Sequence, residues 1–215
     1  LIATPPDDRG SFFSNPDLPF LLVFFIQFTV AFKKMKPLNY SILILLFAIS
    51  QSAQAQLPGE ELIPWRADRK LAWSDYKGQP DPASDAAAST ASYLGIEYHF
   101  SNNKITFTIT CSFSQTKSWG RYQTDYILSH EQGHFDITEI FARRLNQKMQ
   151  EYIFNKNSFK SDLKKIYDDT MEEKEKMQNR YDQETDFSRN KEQQQEWLKK
   201  IEKMLAETAL YASYG

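Results

Sequence analysis

The hydrophobic period of this chain changes once, and the change separates a sheet-forming part from a helix-forming part. In "ASTASYLGIEYHF" and "KITFTITCSF", separated by "SNN", apolar residues recur at every second place, the pattern of a strand with one buried face. Ile96, Tyr98 and Phe100 share one face of the first run, and Ile105, Phe107 and Ile109 share one face of the second, which predicts an antiparallel hairpin. After Trp119-Gly120 the spacing becomes helical. Residues 122 to about 154 contain no proline and carry Tyr126, Ile127, Ile137, Ile140, Phe141, Leu145, Met149 and Ile153. Two further helices are predicted over roughly 159–181 and 189–211, with stripes that include Leu163, Ile166 and Tyr167, then Trp197, Ile201, Met204 and Leu205. Strands first and helices afterwards predict an α+β fold. A short strand is predicted in "KLAWSDYKG", ending at Gly78, and "QPDPASDA" reads as a loop.

The front of the chain carries two apolar runs, "LPFLLVFFIQFTVAF" and, after "KKMK", "YSILILLFAIS". Neither reaches the roughly 20 uninterrupted apolar residues of a comfortable membrane span. The second has the parts of a secretory signal: Lys33, Lys34 and Lys36, an apolar centre from Ile42 to Ile49, and Ala53-Gln54-Ala55 as a small-x-small cleavage site. The expectation is that translation starts at Met35, that residues 1–34 are an upstream extension, and that 35–55 is a signal peptide. Cleavage after Ala55 would leave a domain over 56–215, secreted or periplasmic. An uncleaved membrane anchor is the rival reading, and the only route by which a membrane would enter.

The charge balance is even, with 26 basic and 28 acidic residues and a net charge of −2, so no field points to nucleic acid. One cysteine, Cys111, excludes an intrachain disulfide and a cysteine-held zinc, and its place in an alternating run predicts burial. "MEEKEKMQNR" reads as a solvated helix face.

Two of the three histidines fall in "HEQGHFD", residues 130–136. Four residues apart on a helix, His130 and His134 project from one face and can share one Zn²⁺. Glu131 points about 100° away, so it does not join the coordination sphere. It can instead take a proton from an activated water and pass it on. That is the chemical content of H-E-x-x-H, which the stretch satisfies in full. A third ligand is required. Ile137 and Ile140 stand where H-E-x-x-H-x-x-G-x-x-H demands glycine and histidine; Glu151 lacks a supporting motif; His99 lies on the polar face of a strand. "RYDQETDFS", 180–188, is the better source, with Asp182, Glu184 and Asp186 all candidates. Tyr181 and Tyr126 are possible oxyanion partners, and Asp136 and Glu139 possible acceptors of a ligand's free ring N–H.

"LAWSDYKGQP", "SWGRYQTDYILSHEQGHFDITEIFARRL" and "YDQETDFSRNKEQQQEWLKKIEKML" together resemble the bacterial secreted zinc-dependent protease-like family catalogued as domain of unknown function 922. The resemblance runs from about 62 to 210. It implies a zincin-like fold with a small sheet and an active-site helix, and a metallopeptidase activity. Members commonly continue Y-D-x-x-T-x-H-G, where this chain has Phe187 and Ser188, so that histidine has no counterpart here. Asp182 does match, which makes it the third ligand the resemblance supports. The function so implied is an exported zinc peptidase acting on a peptide or protein substrate with Glu131 as general base. The alternative is a non-catalytic envelope protein that binds metal or a partner.

Overall fold

The computed structural model describes residues 8–13, 59–101 and 104–214. The chain divides into two compact units, Leu1–Asn15 with Glu60–Gly215, and Pro16–Gly59; all elements named here belong to the first. The signal peptide expected over 35–55 and both apolar runs lie outside the described residues.

A four-stranded antiparallel sheet has the order β1-β4-β5-β2, from β1 (Asp8–Phe13), β2 (Leu62–Pro64), β4 (Ser92–Ser101) and β5 (Lys104–Ser114). β3 (Ala88–Ser89) and β6 (Trp119–Gly120) form a separate two-stranded ribbon. The central hairpin pairs Ile96 with Ile109, Tyr98 with Phe107 and Phe100 with Ile105, the register that alternation demands. β1 lies within the stretch expected to be an upstream extension; its backbone extends the sheet along the outer edge of β4, opposite Gly95–Phe100.

Three helices follow: α1 (Asp125–Glu151), α2 (Phe159–Glu184) and α3 (Lys191–Glu207). Thr124 starts α1, its side chain accepting from Ile127 N–H. α1 is buried on most sides because the sheet packs against it as well as α2 and α3. Phe113 and Phe135 meet across the sheet–helix interface at 5.9 Å between ring centroids, while Ile137, Ile140, Ala142 and Leu145 are fully enclosed. Each of the larger ones contributes about 1.5–3 kcal/mol by leaving water. α2 also reaches the sheet, where Tyr167 O–H donates to Leu94 C=O at 2.8 Å. Among the described residues no helix is long and apolar enough to cross a membrane.

The strand expected in "KLAWSDYKG" is not formed. Residues Trp73–Asp75 make one 3-10 turn instead, because the Asp75 carboxylate accepts from Ala72 N–H at 2.9 Å and Asp75 N–H donates to Ala72 C=O at 2.8 Å. A local side-chain bond of this kind competes with strand pairing. Gly120 admits the turn: a Cβ there would stand 2.5 Å from the Trp73 ring.

Candidate metal centre

His130 and His134 leave α1 one turn apart, and their Nε2 atoms lie 3.2 Å from each other. Asp182, in the last turn of α2, places Oδ1 3.1 Å from His130 Nε2 and 3.0 Å from His134 Nε2. Three ligand atoms of the kinds that hold a divalent cation therefore converge. A tetrahedral cation bound at about 2.1 Å separates its ligands by about 3.4 Å, so the trio needs only a few tenths of an ångström of spreading. The side chains are 5 %, 15 % and 28 % exposed for His130, His134 and Asp182; the approach from solvent is thus on the Asp182 side.

Tyr181 fixes the depth of the site. Its ring is fully buried, stacks on His130 at 4.5 Å and meets His134 edge-on at 5.0 Å. Its hydroxyl donates to the His130 C=O at 3.2 Å. The ring comes this close because residue 133 has no side chain: a Cβ there would lie 2.5 Å from the Tyr181 oxygen and 2.9 Å from the carbon that bears it. That explains a glycine inside a helix, where it costs about 1 kcal/mol relative to alanine. Gly133→Ala should therefore push α2 from α1, with a net loss of about 1–3 kcal/mol despite the better helix propensity. Thermal melting measured together with metal affinity checks this; an unchanged or raised melting point with undiminished affinity would refute it.

Gln178 orients the second histidine, and inspection of the motif alone does not reveal it. His134 Nδ1–H donates to Gln178 Oε1 at 2.6 Å, and Gln178 Nε2 donates to the His134 C=O at 2.9 Å. With Nδ1 carrying that proton, Nε2 is the nitrogen turned to the trio. Residues 178, 181 and 182 share one face of α2 by their spacing, so the helical period counted back from Asp182 is the signal that leads to Gln178.

Electrostatics bind the trio together. Burial opposes charge on His134, but its hydrogen bond with Asp182 and the nearby Glu131 carboxylate outweigh that, and its pKa is pushed up to about 9. Burial likewise raises the Asp182 carboxyl, yet hydrogen bonds with His130 and His134 prevail and hold it well below the usual carboxylate range. Among the described residues, buried side-chain atoms without a hydrogen-bond partner are His130 Nδ1, Glu131 Oε2 and Gln194 Oε1. Two of these belong to the H-E-x-x-H stretch. Burying an acceptor without a partner costs about 1–3 kcal/mol, and a carboxylate kept so, beside a nitrogen–oxygen donor set, fits a site built to receive a cation and a water.

The other candidates are placed elsewhere. His99 is exposed on β4, opposite Thr106. Glu184 accepts from Arg180 at 2.6 Å and Trp197 at 2.8 Å, and Asp186 pairs with Arg189. Glu151 is exposed and accepts from Gln147. Asp136 accepts from the Trp65 indole at 2.7 Å, from Gln132 at 2.8 Å and from Lys70 at 3.1 Å; Glu139 pairs with Arg143 and Tyr214. Neither serves a histidine ring, since α1 turns both toward the lead-in and tail segments. The Tyr181 hydroxyl is committed to the His130 carbonyl and the Tyr126 hydroxyl to the Ser188 carbonyl at 2.6 Å, so neither is an oxyanion donor in this arrangement. β2 pairs with Ser112–Ser114, the end of β5 whose Phe113 meets α1.

The sequence model of a family described as bacterial protein of unknown function (DUF922) matches residues 49–189, about two thirds of the chain and every residue of the trio. The chain belongs to that family. No curated protein and no solved structure matches it. Membership in DUF922 covers β2 through the turn after α2; α3 lies beyond the matched span yet braces it, with Gln194 Nε2 donating to Tyr126 C=O and Ser129 Oγ, and Trp197 packing on Tyr181 at 5.5 Å.

Proposed function

We propose that this DUF922 protein is an exported zinc-dependent peptidase with a zincin-like site. The observation that carries the reading is the convergence of His130, His134 and Asp182 with a partnerless, buried Glu131 carboxylate oxygen on the adjacent helical position. Two imidazoles and one carboxylate leave a coordination position open, as in catalytic zinc centres. When bound there, zinc supplies a Lewis acid that polarises a carbonyl and makes water acidic. The protein's own groups do the rest. Glu131 accepts the proton of the water that attacks the carbonyl carbon and delivers it to the departing amine nitrogen. Gln178 keeps the His134 ring in one tautomer, and Tyr181 keeps both rings from retreating into the helix interface. The same donor set also serves iron(II) in oxygen chemistry; the glutamate next to the first histidine favours hydrolysis.

Metal analysis of the purified full chain tests the reading. One zinc per chain, absent in His130→Ala, is expected, with hydrolysis of a mixed peptide library that a chelator stops and zinc restores. Iron in place of zinc overturns it. Zinc with no hydrolysis leaves a non-catalytic metal-binding protein. Export is tested by the N-terminus of the secreted form, expected at Gln56.

A further inference from the structure

Between α2 and α3 the backbone takes an uncommon path. Asp186, Phe187 and Ser188 have φ of 49°, 50° and 68° in succession, the left-handed region that residues with a Cβ avoid and bulky ones avoid most. Asp186 suits it moderately; Phe187 does not. The turn is nonetheless firmly tied. Phe187 N–H donates to Asp182 C=O at 2.8 Å, Asn190 N–H donates to Thr185 C=O at 2.8 Å, and the Tyr126 hydroxyl holds Ser188 C=O. The Phe187 ring is 58 % exposed, with the Arg189 guanidinium 5.8 Å from its centroid. A strained backbone and a phenyl ring left in water thus coincide five residues after a trio member. Strain of this kind collects at functional sites.

The location is specific. Tyr126, His130 and His134 occupy one face of α1 at successive turns. Asp182 stands against the two histidines, and Ser188 against Tyr126. The backbone of the turn is thus tied at one end to Asp182, through Phe187 N–H, and at the other to Tyr126 on the histidine face of α1, through Ser188 C=O.

We propose that Phe187 is a specificity-determining residue: it takes a bulky apolar side chain of a peptide bound at the His130–His134–Asp182 site. In the free chain the exposed phenyl has the Arg189 guanidinium beside it, and it gains further by burial against another apolar group. This rests on the peptidase reading for its substrate class. The preferred substrate is accordingly a peptide with a large apolar residue beside the bond that is cut.

The test uses the zinc-loaded full chain carrying Glu131→Gln, so that binding is read without turnover. The probes are fluorescent six-residue peptides of alanine and glycine, with phenylalanine or serine at one central position. Anisotropy is expected to show about tenfold tighter binding of the phenylalanine peptide, a pocket-contact difference of ordinary size. Phe187→Leu should keep most of that ratio. Phe187→Asn should bring it close to one while raising the melting temperature, because asparagine accepts the left-handed backbone. A merely structural phenylalanine would affect both peptides equally. An unchanged ratio in Phe187→Asn, or no preference in the parent, overturns the proposal. Selective binding without cleavage by the chain that retains Glu131 supports the apolar contact and defeats the peptidase reading; cleavage indifferent to the central residue does the reverse.

Discussion

Glu131→Gln is expected to leave zinc bound and to lower peptide turnover by about 10²–10⁴-fold, the usual worth of a positioned general base. Glutamine has the shape of glutamate, so the packing around a 5 % exposed side chain is retained. It lacks the acceptor lone pair at the position of Oε2, the atom without a partner. The melting temperature should stay close to that of the parent, since an amide group at the Oε2 position is left without a partner just as the carboxylate oxygen is. Metal content, steady-state kinetics and melting on one preparation check all three expectations. Turnover equal to that of the parent would remove Glu131 from the chemistry, and loss of zinc would make it a structural group.

Asp182→Asn should have the next largest effect, and at two levels. It replaces the anionic ligand between the imidazoles, so zinc affinity should fall by more than the roughly 10–100-fold seen when an outer partner of a ligand is lost. In the metal-free protein it should also change how stability depends on pH. The His134 pKa of about 9 lies above the ordinary histidine value near 6.5. Its contribution is therefore complete below about pH 6.5 and disappears as pH rises through about 9. Asp182, held below the usual range, contributes above about pH 4 and loses that contribution on acidification. The metal-free parent should accordingly gain most from this pair between about pH 4 and 6.5, and lose on the order of 2–3 kcal/mol toward pH 9. Asp182→Asn should flatten the alkaline limb. Zinc must displace the His134 proton, so its affinity should climb over the same interval. Melting curves of chelated protein at pH 5, 7 and 9 decide the matter: a parent whose stability is flat or rising across that range contradicts the assignment.

The extent to which the site was legible in the sequence follows the range of the interactions involved. Phe100 opposite Ile105 and His130 one turn from His134 are consequences of the two- and 3.6-residue periods, so alternation and spacing were sufficient. The ribbon-forming Trp119-Gly120 was legible as a boundary, but the Trp73–Asp75 turn was not, because the Asp75 carboxylate outcompetes a strand whose partner is not visible locally. Asp136 and Glu139 looked equally placed to serve the histidines; their true partners, Trp65 and Tyr214, lie 71 and 75 residues away.

What this sequence determined by itself is a histidine helix behind a hairpin, with a glutamate beside the first ring, because those features depend only on neighbours within a turn or a pleat. Which acid completes the trio was decided by tertiary structure. Asp182, Glu184 and Asp186 are separated by a few residues at the end of α2, and the helix stops between the second and third of them. Packing of Tyr181 against Gly133 sets the rotation of α2 and so turns Asp182 inward, while the left-handed turn carries Asp186 to Arg189. Contacts made across the chain, between residues 133 and 181, fix that rotation, and no local period encodes them.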